Sequence, residues 1–194
     1  MNVMNRFLLV FFLFAGLTGC AYETPLPSTG YLPADAFGNS VIGQDPAIAA
    51  TNAATEAFAY PGMMQGRPAQ MALAIASLDA MAGQFSTGGR WMAMDPIAKQ
   101  QMLDARDQVR GVLGVPETTQ SQSLIDHLVA ASHALDRGDQ AAALTALSGA
   151  DFTKTPAQTL ALLTNFPKVP NANYATMAAS QDLFPMDGGF DKMN

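Results

Sequence analysis

The stretch "DPIAKQQMLDARDQVRGVLG", residues 95 to 114, decides the fold class. Asp95 can cap the orphan amides of a helix start, and Pro96 suits the first helical position. Ala98, Met102, Ala105, Val109 and Val112 then recur at helical spacing as an apolar stripe. Lys99, Asp104, Arg106, Asp107 and Arg110 mostly fall away from it. Gly114 and Pro116 end the run. The same pattern extends to both sides. "DPAIAATNAATEAFAY" starts at Asp45-Pro46 and stops at Pro61-Gly62. "RPAQMALAIASLDAMAGQF" brings Met71, Ile75, Leu78 and Phe85 near one face and breaks at Gly88-Gly89. "SQSLIDHLVAASHALDRGD" aligns Leu124, Leu128, Ala131 and Leu135, with Gly138 as a left-handed cap and Asp139 poised to cap "QAAALTALSG". Thr155-Pro156 opens "TPAQTLALLTNF", and "NANYATMAASQDLF" is a weaker last helix. No segment alternates like a half-buried strand over a useful length. The pattern predicts an all-α fold, an irregular bundle of six or seven short helices over residues 45–184, with a disordered tail at 185–194.

Ahead of the bundle the texture differs. Residues 21–44 hold three prolines and three glycines without a sustained period, which predicts a tether. Tyr22, Tyr31, Leu32 and Phe37 give that tether side chains that can dock on the domain. Further upstream, Arg6 precedes the uncharged run "FLLVFFLFAGL", Phe7 to Leu17, of 11 residues. A bilayer-crossing helix needs about 20 apolar residues. The length fits the apolar region of a secretory signal, about 7–15 residues after a positive start.

The residues Leu17-Thr18-Gly19-Cys20 follow that run and resemble the lipobox of bacterial lipoproteins. The resemblance covers residues 1–20 alone. It implies that 1–19 are a signal peptide removed at Cys20, and that 20–44 are a lipidated tether. It also implies a diacylglycerol on the Cys20 sulfur and a further acyl chain on its amine. Several chains together anchor stably where one binds marginally, each buried CH₂ contributing about 0.8 kcal/mol. Ala21, where an aspartate would imply retention at the inner membrane, points to the periplasmic face of the outer membrane. Cys20 is the one cysteine of the sequence, so no internal disulfide can form, and acylation accounts for its thiol.

The whole chain has 10 Lys/Arg against 16 Asp/Glu, a formal charge of −6, and loss of Arg6 with the signal makes it −7. Removing 19 of 194 residues leaves 175, enough for one domain with a sizeable core. An acidic chain with scattered bases excludes nucleic acid as the expected partner. It also excludes a polybasic membrane patch.

Within the bundle, "ASHALDRGDQAAALTAL", residues 131–147, is similar to a tetratricopeptide-type helical hairpin. Ala134, Leu135, Gly138, Asp139, Ala143, Leu144, Ala146 and Leu147 carry the likeness. That family repeats about every 34 residues, and no second copy stands at that spacing, so a hairpin within a non-repeating bundle is expected. His127 and His133 are the two histidines; six residues apart on one helix, they point about 120° from each other. One metal ion between them is hard to arrange, and Asp136 can pair with His133 as an ordinary helix-surface contact. No G-x-S-x-G, phosphate-binding glycine loop or H-E-x-x-H occurs, so no enzymatic chemistry is expected.

Methionine is the unusual excess, and thioethers are soft ligands that favour Cu(I). Met63, Met64, Met92 and Met94 are the candidates for a copper site, against a core-filling role for Met71, Met81 and Met102. Phe85, Trp91 and Met92 are candidate anchors of a protein interface, against a role for Trp91 in capping the core. The expectation is a non-enzymatic lipoprotein, membrane-bound through Cys20 and without another cofactor, that binds an envelope protein as accessory or scaffold. The alternative is a carrier of copper or a small apolar ligand using residues 63–102.

Overall fold

Alanine sets the spacing of this bundle. The computed structural model describes residues 27–41 and 43–183. The signal segment, Cys20, Tyr22 and the tail 185–194 lie outside the described residues. The described residues form eight α-helices and no strand: α1 Pro46–Ala59, α2 Pro61–Met64, α3 Pro68–Thr87, α4 Pro96–Leu113, α5 Ser121–Asp136, α6 Gln140–Ala146, α7 Pro156–Thr164 and α8 Pro170–Leu183. Short 3₁₀ turns stand at Gly38–Val41 and Gly89–Trp91. The all-α expectation holds, and the extra element is the single turn α2. Pro61 was read as a stop, but proline also fits the first position of a new helix. No helix among the described residues is long and apolar enough to cross a membrane.

The starts obey the local chemistry of capping. Asp45 Oδ1 accepts from Ala47 N at 2.9 Å, and Asp95 Oδ1 accepts from Ile97 N at 2.8 Å. Thr155 and Gln158 close a reciprocal capping box on α7. At the ends, Gly114 and Gly138 take φ of +78° and +73°, which side chains with a Cβ disfavour.

Helix α3 is the axis of the fold. It packs on α5, α1 and α4, while α8 covers α1 and α4. The predicted face Met71, Ile75, Leu78 and Phe85 is buried, and so are Ala69, Ala72, Ala74, Ala76, Ala80 and Ala82 around it. Small side chains let helices enclose α3 on several sides, so its burial exceeds a single stripe. The hairpin α5–α6 turns at Gly138 and leans on α7 rather than on a repeat of itself.

Residues 27–37 dock on the domain through Leu32 and Phe37, two of the side chains that could do so: both pack against the core, and Gly30 and Ala36 are buried. Arg106 and Arg110 do not lie on a solvated face, for both are buried. They stand one turn apart on the flank of α4 that α3, α5 and the N-terminal strap close over.

Candidate functional site

The seat of that strap holds the densest polar network among the described residues. Asp79, the only charge on α3, is buried and meets Arg110 in a two-pronged ion pair. Arg110 Nε donates to Asp79 Oδ2 at 2.6 Å and Nη2 donates to Oδ1 at 2.8 Å. Two further guanidinium hydrogens reach Thr119 O at 3.1 Å and Ser121 Oγ at 2.9 Å. A buried ion pair is tolerated when its spare donors and acceptors are satisfied in this way.

Above the pair the strap binds through its main chain. Ser28 O accepts from Arg106 Nη1 at 2.9 Å and from Ser121 Oγ at 3.0 Å. Ser28 Oγ in turn accepts from Ser121 N at 2.8 Å, so it satisfies an orphan amide at the start of α5. Gln84 Nε2 donates to Gly30 O at 2.9 Å. The Gln122 amide meets Tyr31 twice, accepting from its N at 2.9 Å and donating to its O at 3.0 Å. Two glycines permit the close approach. A Cβ on Gly30 would stand 2.6 Å from Ile125 Cδ1 and 2.8 Å from Gln122 N, and one on Gly83 would stand 2.7 Å from Ser28 O.

A second cluster joins α5 to the loop before α7. Ser123 Oγ hydrogen-bonds Asp151 Oδ2, and His127 Nδ1 lies 3.2 Å from the same oxygen, out of line for a hydrogen bond. Serine, histidine and aspartate are all present, but the carboxylate sits between the other two. A nucleophile needs its base on its own hydroxyl, with the carboxylate behind the base. Here the Ser123 hydroxyl is committed to the acid, so the arrangement fastens a loop. Phe152, 6.1 Å from the imidazole centroid, closes its other side. His133 is elsewhere: its Nε2 is 3.3 Å from Ala36 O, a strap contact in place of the expected Asp136. Among the described residues no group of three or more His, Cys, Asp or Glu is placed to hold a metal ion.

The methionine candidates do not converge. Met63 and Met64 precede the first turn of α3, whereas Met92 and Met94 follow its last. Twenty helical residues separate the pairs by on the order of 30 Å. Met64 and Met94 belong to the core, while Met63 and Met92 are exposed. Of the candidate interface anchors, Phe85 is wholly buried and offers no surface. Trp91 is half-buried, packed edge-on against Phe85 at 4.9 Å, with the Arg90 guanidinium 4.4 Å from its ring centroid. Only Met92 of the three projects outward.

A depression of about 310 Å³ lies at the far end of the bundle, lined by Pro68, Leu135, Gly138, Gln140, Leu160 and Thr164. It carries no ionisable group, and its one hydroxyl, on Thr164, is held by Leu160 O at 2.8 Å. The strap seat, Asp79, Arg106, Arg110 and Ser121, was not singled out from sequence. Its partners stand 11 to 93 residues apart, and only the lone acid in an alanine-rich helix hinted at it.

Comparison with protein families, with curated proteins and with solved structures finds no match for the chain.

Proposed function

We propose that the chain is a lipoprotein of a bacterial outer membrane, anchored through Cys20. Its helical domain serves as a non-enzymatic accessory that holds a protein partner at the periplasmic face. The signal-like run and Leu17-Thr18-Gly19-Cys20 support the anchor. The observation that carries the reading furthest is the docked strap. Seven residues, Cys20 to Leu26, precede Pro27, and they span about 25 Å at most. Had residues 27–44 been free as well, the reach would be about 85 Å. A short spacer joined to a firmly fastened strap suits a protein that presents a rigid surface near a membrane. Catalysis finds no support in the Ser123, Asp151 and His127 geometry.

Copper is not carried forward, because the four methionines lie at opposite ends of α3. The test is the fate of a Cys20→Ala variant expressed with its signal in a Gram-negative host. The native chain should float with outer-membrane vesicles and give an acylated N-terminal peptide by mass spectrometry, and the variant should do neither. Equal membrane flotation of both would refute the anchor. Cross-linking of the anchored native chain in intact cells should then yield a heteromeric adduct. Recovery of the chain alone would refute the accessory role.

A further inference from the structure

We propose that the turn between α3 and α4 is seated on the bilayer surface, with Met92 and Ile97 dipping into the headgroup region. This rests on the anchor at Cys20 and names the surface that faces the lipid. Three observations converge on one end of the bundle. The first is where the chain emerges. Thr29 Oγ1 lies 3.0 Å from Thr87 Oγ1, so the strap enters beside the last turn of α3. The seven residues from Cys20 to Leu26 therefore keep that end within about 25 Å of the lipid.

The second is what that end presents. Met92 is 81% exposed, the most of any large apolar residue among the described residues, and Ile97 is 66% exposed, beside Tyr174 at 68% and Tyr31 at 65%. Met92 lies in the segment that links α3 to α4, and Ile97 in the first turn of α4. Surface apolar residues scattered singly need no account. Two that stand five positions apart, at the end of the bundle where the strap begins, do.

The third is that the turn is stiff. Trp91 N donates to Gly88 O at 3.0 Å and Met94 N to Trp91 O at 3.1 Å. Trp91 is wedged on Phe85, and Met94 is buried. Met92 thus projects from a turn fixed on both sides, as a wedge rather than a floppy loop. Around it Arg90 is paired with Asp45, and the Asp95 amide is held by Asp182 Oδ2 at 2.7 Å. The rim is on balance acidic, which matches a zwitterionic lipid surface better than an anionic one. Two apolar side chains would bind a bilayer feebly alone. The anchor makes the contact intramolecular, so a weak contact suffices to orient the domain.

The test uses the full, acylated chain in phosphatidylcholine vesicles that contain a doxyl-lipid quencher. With the Cys20 sulfur acylated, Met92→Cys, Ile97→Cys and Met63→Cys each offer one thiol for an environment-sensitive fluorophore. The probes at 92 and 97 should be blue-shifted and quenched, and the probe at 63, beyond the opposite end of α3, should be neither. Equal emission at all three positions in vesicle-bound protein overturns the seating while leaving the anchor intact. Gly30→Leu, added to Met92→Cys, should detach the strap and abolish the quenching while circular dichroism and flotation persist. Quenching undiminished in that double variant would overturn the role of the strap in setting the seat. Failure of the native chain to float with the vesicles is separately readable, and it removes the anchor and the seating together.

Discussion

The contact between α1 and α8 and the seat of the strap fill the flanks of this bundle by opposite means. Helices α1 and α8 pack together, and alanine dominates the buried residues of each: Ala47, Ala49, Ala50, Ala54 and Ala57 on α1, and Ala172, Ala175 and Ala179 on α8. The threonines there mostly serve their own helices: Thr51 Oγ1 donates to Ala47 O and Thr176 Oγ1 to Ala172 O. Thr55 alone crosses, reaching Thr176 O at 3.1 Å. Such a contact needs matched volume and little else. The strap seat needs particular atoms: a glycine at 30, a glycine at 83, a guanidinium at 106 and a neutralised pair at 79 and 110. Alanine packing tolerates small slides, whereas the strap has one register. The first holds helices together and the second fixes the course of residues 28–31 over α3, α4 and α5.

The largest way to break that contrast is at the ion pair. Asp79→Leu or Arg110→Met alone leaves a buried charge without its partner, and each should cost about 3–5 kcal/mol in urea unfolding. The double variant should recover most of the loss, since replacing both charges by apolar groups of similar volume is often neutral. If each single variant cost under about 1 kcal/mol, water would be reaching the pair, and the strap would not be closing it off from solvent.

Glycine 30 sharpens the contrast next. Gly30→Ala forces a Cβ against the backbone of α5 at Gln122, which cannot retreat as a side-chain tip can. A loss of about 1–3 kcal/mol is expected, as for other overpacked sites. Hydrogen exchange should quicken at the amide of Tyr31, whose N–H is held by Gln122. Amides in the middle of α1 and α8 should keep their protection. On the alanine side, Ala54→Gly should cost about 1 kcal/mol through helix propensity alone and leave the strap untouched. If Ala54→Gly loosened the strap as much as Gly30→Ala did, the two flanks would be one cooperative unit, and the distinction would fail.

The two flanks also differ in how far the sequence discloses them. The alanine helices were legible because their information is local. Asp45-Pro46, Asp95-Pro96 and Thr155-Pro156 announce starts, Gly114 and Gly138 announce ends, and apolar periodicity selects the inward face. Of the strap, docking by Leu32 and Phe37 was legible but its register was not, because that comes from partners in three helices far along the chain. Pro27 and Gly30 look like breakers in isolation, and Gly30 is there for close approach, not for freedom. For the same reason Arg106 and Arg110 read only as charges off the apolar stripe, while their partners Ser28 and Asp79 stand far along the chain. The neighbour of His127 was missed likewise: Asp151 lies in a loop 24 positions on, beyond the reach of helix spacing.

The smallest expected effect lies where a local cap meets a long-range contact, at Asp45. Its carboxylate caps α1 and pairs with Arg90, and it titrates below its ordinary value. The Arg90 hydrogen bond is the chief cause; burial opposes it, and the amides of Ala47 and Ile48 add to it. A lowered value means that the folded state holds the Asp45 proton less readily than the unfolded chain. The ionised group therefore contributes stability above the usual carboxylate value near 4, and that contribution is lost as pH falls through the lower folded value. Arg90→Gln removes the chief cause and leaves the cap. It should narrow the difference in melting temperature between neutral and acid solution by a small amount, because the pair is open to solvent. High salt should narrow the native difference in the same direction, as screening weakens an exposed pair and spares a hydrogen-bonded cap. An unchanged acid response in Arg90→Gln would assign the lowered value to the helix start alone, and would make Asp45 as local as the sequence first suggested.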